Sequence, residues 1–170
     1  GHLQIQQQQT RQRISFPVCI LALAFEIKNR FFAITDYLHK AGTAHVWYRV
    51  DDGDQDIASF FHYMALSVRG VRAKQTLPSF GSEYADQPDQ FARRFFRAYL
   101  ATLRPGTVLV LDDVHNADVP QFRRLVALLL EELPHTIRCV CLSRTRPPQE
   151  LSELTLKGRL GIVDESVLRF

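Results

Sequence analysis

The segment that most constrains this chain is Val108-Leu109-Val110-Leu111-Asp112-Asp113. Four consecutive apolar residues show no helical spacing, and a run of strand length without a polar position has to be covered on both faces. Such a strand belongs inside a parallel sheet. Two carboxylates follow it, at the end of the strand where ligands collect on open parallel sheets. Four apolar residues and two acids also make the Walker B pattern. The strand fixes Asp112 where it can hold a Mg²⁺ ion, usually through water, because Mg²⁺ keeps part of its hydration shell. Asp113 can orient or polarise an attacking water. The same pair also reads as a solvated strand end that simply turns the chain.

The rest of the sequence alternates strand and helix patterns. Val18 to Leu23 (VCILAL) is a continuous apolar run and reads as a buried first strand. A helix is expected over Asn29 to Lys40, ended by Gly42. His45 to Val50 reads as a second strand, and Asp56 as the N-cap of a helix reaching about Val68. Gly70 to Pro88 is polar and irregular, and Asp89 to Leu103 is helical. Thr107 to Leu111 is the clearest strand. An amphipathic helix follows over Val119 to Leu133, with Phe122, Leu125, Val126, Leu129 and Leu133 on one face. Ile137 to Leu142 is the next strand, then a helical turn near Leu151 to Leu156 and a last strand over Leu160 to Val163. This order predicts a three-layer α/β/α domain around a mainly parallel sheet.

Composition narrows the function classes. With 46% hydrophobic and 23% charged residues, the chain is neither disordered nor a coiled coil. A formal net charge of +3 is too mild to imply direct nucleic-acid contact by this domain. Three cysteines fit a reduced, cytoplasmic setting. Cys139 and Cys141, two apart on one strand, share a face and are not expected to pair with each other. The apolar run Phe16 to Phe25 is too short to cross a membrane. Arg11, Arg13 and the small-residue pattern Ala22-Leu23-Ala24 also allow it to be read as a signal peptide, which would make the chain a secreted binding domain. Pairing of that run inside the sheet decides between the two. Residues 1–13 are expected to be a tag remnant and a disordered tail, 14–165 the domain, and 166–170 the start of a following helical domain.

If Asp112-Asp113 is a Walker B pair, a phosphate loop should follow the first strand. The residues there are Ala22-Leu23-Ala24-Phe25-Glu26-Ile27-Lys28-Asn29. Aligned on Lys28, Ala22 and Ile27 stand where G-x-x-x-x-G-K-[ST] has glycines, and Asn29 stands where it has a hydroxyl. Glycines let backbone N–H groups turn inward around phosphates. A β-branched Ile in a left-handed position costs about 1–2 kcal/mol and crowds the cradle. Glu26 adds a negative charge, and Asn29 offers Mg²⁺ only a carbonyl oxygen. Lys28 alone keeps the pattern, and it also reads as an ordinary lysine at a helix start. Arg144, after the strand that follows Walker B, is placed to approach a γ-phosphate as a bidentate donor, or to be a surface arginine.

Other readings fail on spacing. A phosphoryl-receiver domain also uses paired acids, but it needs a further Asp some forty residues on, and after Asp118 this chain has only Asp164. Asp52-Gly53-Asp54-Gln55-Asp56 is not a calcium loop, because Ile57 and Tyr63 replace the required Gly and Glu. The histidines and cysteines show no metal-ligand spacing in sequence.

Several segments together resemble one family. His45-Val46-Trp47-Tyr48-Arg49-Val50-Asp51-Asp52-Gly53-Asp54 with Phe60-Phe61-His62-Tyr63, the stretch Leu109 to His115, and Ser143-Arg144-Thr145-Arg146-Pro147-Pro148 with Gly158-Arg159-Leu160 are similar to the signal-transduction ATPases of the STAND class. The likeness is nearest to those in large LuxR-type transcription regulators. It implies a P-loop NTPase-like fold that binds ATP and Mg²⁺, with helical-repeat and DNA-binding domains elsewhere in a longer chain and homo-oligomer formation on activation. By the same resemblance Lys28 would face the phosphates, Asp112 the Mg²⁺, Asp113 the water and Arg144 the γ-phosphate. The departure is the glycine-free stretch Ala22 to Asn29. The expectation is therefore a regulatory module with a degenerate nucleotide site, non-catalytic or at most a weak ATPase. The alternative is a working ATP switch with slow hydrolysis that controls oligomerisation.

Overall fold

The computed structural model describes residues 19–23, 30–68 and 76–163. The expected tail over 1–13, Lys28, Asn29 and the expected domain start at 166–170 lie outside the described residues.

Five strands form one sheet: β1 (Cys19–Leu23), β2 (His45–Arg49), β3 (Val108–Asp112), β4 (Arg138–Ser143) and β5 (Leu160–Val163). Their order is β2-β3-β4-β1-β5, and every pairing is parallel. The helices are α1 (Arg30–Lys40), α2 (Ile57–Ser67), α3 (Pro88–Thr102), α4 (Pro120–Glu132) and α5 (Ser152–Leu156). The α/β three-layer expectation holds, with an all-parallel rather than mainly parallel sheet. Cys19–Leu23 is hydrogen-bonded to β4 on one side and β5 on the other, so these residues are sheet and not a leader.

Strand parity separates the two faces. All five residues of β3 are buried. Leu109 and Leu111 join Phe60, Phe96 and Phe122 on the side of α2, α3 and α4. Val108 and Val110 pack instead with Leu38 of α1. Among the described residues α1 is thus the only helix in its layer. The cause is the order in which the strands are laid down. The chain steps from β1 across to β2 in one direction, then returns through β3 and β4 to β5 in the other. Right-handed crossovers that move in opposite directions lie on opposite faces. The connections from β1 and from β3 and β4 therefore diverge, which opens a crevice along the carboxyl edge of the sheet.

The larger core is aromatic. Phe60 and Phe122 meet edge to face at 5.4 Å, and Phe61 lies 4.8 Å from Phe95. Each such fully buried ring contributes roughly 1.5–3 kcal/mol. Local signals set the helix starts. Asp56 caps α2 by accepting from the Ser59 N–H at 2.9 Å. α3 begins at Pro88, one residue before the expected Asp89, because a proline has no N–H to leave unpaired in a first turn.

Candidate functional site

Asp112, Asp113 and Arg144 all stand at the carboxyl edge. Asp112 ends β3, in register with Arg49 of β2. Alternation along the strand turns it to the same face as Val108 and Val110, the α1 side of the crevice. The end of β1 is not its direct neighbour, since β4 runs between β1 and β3. Leu111 pairs with Cys141 and Ala22 with Leu142, so Asp112 is level with the end of β1 two strands away, roughly 10 Å. Arg144 follows β4 directly, and Leu23 pairs with Ser143, so Arg144 sits where the chain departs β1. It is exposed, and its backbone N–H reaches His115 Nδ1 at 3.4 Å, a long hydrogen bond.

Asp113 leaves the strand in a left-handed turn, φ 55° and ψ 39°. It is the one non-glycine residue with positive φ among the described residues. Aspartate tolerates that conformation better than most side chains, at about 1 kcal/mol or more. The turn starts a short 3₁₀ helix over Val114–Ala117. Asn116 fixes the turn from two sides: its N–H donates to the Asp113 carbonyl at 2.9 Å, and its Nδ2 donates to the Val50 carbonyl at 3.1 Å. The Val50 N–H in turn donates to the Asp112 carbonyl at 2.8 Å. The ends of β2 and β3 are therefore one hydrogen-bonded unit, and both carboxylates are buried, each residue 7% exposed.

Arg49 Nε lies 3.4 Å from Asp113 Oδ2. Sequence reasoning missed this contact, and it missed Asn116. Knowledge of the strand order would have revealed Arg49, because β2 beside β3 puts the last residue of one next to the acidic end of the other.

The residues fit Mg²⁺ and ATP only in part. Asp112 is a hard oxygen donor on a rigid strand, which suits Mg²⁺. Asp113, the carboxylate to which the resemblance assigns the water, faces the Arg49 guanidinium. Lys28 and Asn29 are outside the described residues, and their neighbourhood in sequence has no glycine.

Behind this edge, the loop after β2 closes on itself. Asp54 is buried and accepts from Tyr48 Oη at 2.5 Å and from the Asp51 N–H at 2.9 Å. Burial raises its pKa, partly offset by those two hydrogen bonds. Burial and the Asp54 carboxylate push the Tyr48 phenol up as well.

No family model matches the chain. Over 128 residues it is 26% identical to the HTH-type transcriptional regulator MalT of Cronobacter sakazakii. It is 24% identical over the same length to MalT of two strains of Klebsiella pneumoniae. The match covers 73% of this chain and 14% of each relative. Among the described residues, no helix is long and apolar enough to cross a membrane. The chain is distantly similar to one small part of a large HTH-type transcriptional regulator.

Proposed function

We propose that this chain is the NTPase-like regulatory module of a signal-transduction or transcription regulator, with a degenerate nucleotide site. It acts as a scaffold that passes a conformational or assembly signal to neighbouring domains of a longer protein. The observation that carries this reading is the engagement of Asp113 by Arg49. The guanidinium engages the Oδ2 that would otherwise hold an attacking water. The glycine-free stretch Ala22 to Asn29 supports the same conclusion, and the likeness to an HTH-type transcriptional regulator supports the regulatory setting. Bound at this edge, Mg-ATP would supply a phosphoryl group with its charge partly neutralised. Asp112 would hold the ion, Arg144 and Lys28 would meet phosphate oxygens, and Asn116 would keep the β3 turn in place.

The second reading, an ATP switch with slow hydrolysis that controls oligomerisation, draws on the left-handed turn at Asp113. Backbone strain held in place by Asn116 is common where a side chain is being aimed. Isothermal titration with Mg-ATP separates the two. The degenerate site predicts no heat that fits a dissociation constant below about 10 µM, roughly −7 kcal/mol. Tighter binding, weakened by Lys28→Ala with the fold intact, would replace the first reading with the second.

A further inference from the structure

All three cysteines of the chain meet in one place. Cys19 on β1 is in direct register with Cys139 on β4, and Cys141 follows two residues on, on the same face. Each is at most 2% exposed, and all three are free thiols. Their sulfurs lie within 4.8 Å of one another, with Cys139 Sγ and Cys141 Sγ 3.8 Å apart. Metal–sulfur bonds of about 2.3 Å set ligand sulfurs ~3.8–4.0 Å apart in tetrahedral or trigonal geometry. The thiols are therefore close to ligating distances without backbone movement. One of them, Cys141, borders a cleft. A narrow cleft of about 30 Å³ between α4 and the segment after β4 is lined by Phe122, Val126, Cys141, Ser143 and Leu151. It has room for one or two waters or an ion of that size.

We propose that Cys19, Cys139 and Cys141 form a binding site for a soft monovalent d¹⁰ metal ion of the Cu(I) class. Ligand chemistry selects this ion. Among the described residues the cluster consists of three sulfurs with no carboxylate or imidazole in it. Thiolates favour Cu(I), and Zn²⁺ takes four ligands in structural sites. Metal-ligating cysteines are thiolates, so one M⁺ taken up by three of them releases three protons to solvent. Cys141 is the thiol that lines the cleft.

The test is an anaerobic titration of the reduced chain with Cu(I) in competition with a chromogenic Cu(I) chelator. The site predicts one equivalent withheld from the chelator. It also predicts at least tenfold weaker retention in Cys19→Ala, Cys139→Ala and Cys141→Ala, each checked for native circular dichroism. Zn²⁺ at the same concentration should not displace the Cu(I). X-ray absorption on the loaded wild-type chain gives the same answer without any variant: a first shell of three sulfurs at about 2.3 Å. No withheld equivalent, equal retention in the triple alanine variant, or a nitrogen or oxygen first shell would overturn the proposal.

Discussion

At the scale of single residues, Asp54 has the clearest consequences. It lies among four acids between Asp51 and Asp56, yet its carboxylate is buried against Tyr48. Tyr48→Phe removes the hydroxyl donor and leaves that carboxylate under-satisfied. The expected cost is about 1–3 kcal/mol, a fall in Tm of about 3–10 °C for a chain of this size, measured by thermal denaturation. The raised pKa gives a pH dependence of known sign. Native Asp54 takes up its proton at higher pH than the unfolded chain does. Its contribution to stability is therefore least above the raised pKa and grows as pH falls through it toward the unfolded value. Urea denaturation from pH 7 to pH 4 should show wild type gaining on Asp54→Asn as the pH falls; a widening deficit would contradict the burial argument. The sequence displayed Asp112 and Asp113 through a local pattern. It hid Asp54, Arg49 and the cysteine cluster, because each depends on which strands become neighbours.

At the scale of elements, caps and clasps decide how firmly the helices close over the sheet. The Asp56 cap was legible in the sequence, since an Asp just before an apolar helical run has few other uses. Asp56→Ala should cost about 1 kcal/mol, read from the urea midpoint. The Ser59 hydrogen bonds lower the Asp56 pKa, so this contribution is fully present above the unfolded value of about 3.9 and is lost as pH falls through the lower native one. The α3–α4 contact was not legible, because its partners lie on separate helices. Glu132 accepts from Arg97 Nε at 2.7 Å and from Arg93 at 2.9 Å, and Arg93 also reaches Glu131 at 2.6 Å. Arg97 is largely in solvent and Arg93 is half-buried, so Glu132→Gln should cost about 1 kcal/mol, and less in high salt. A loss independent of salt would show that packing, not charge, holds these helices together.

At the scale of the whole molecule, element order was readable and spatial order was not. Alternating patterns fix the succession of strands and helices, and the continuous apolar run of β3 fixes its place inside a parallel sheet. Nothing local in the sequence says that β4 slips between β1 and β3, and that single fact sets how far the end of β1 lies from Asp112. It also joins Cys19 to Cys139. The same topology puts Asp112 and Asp113 at the end of β3, level with the end of β1 two strands away. The proposed function depends on that edge having kept its carboxylates while Arg49 engages Asp113. Single-turnover hydrolysis of Mg-ATP by the wild-type chain, beside Asp113→Asn and Arg49→Ala, tests this most directly. The account predicts no hydrolysis above the buffer rate in wild type and none in Asp113→Asn. Wild-type turnover that Asp113→Asn abolishes while the fold is retained would contradict it.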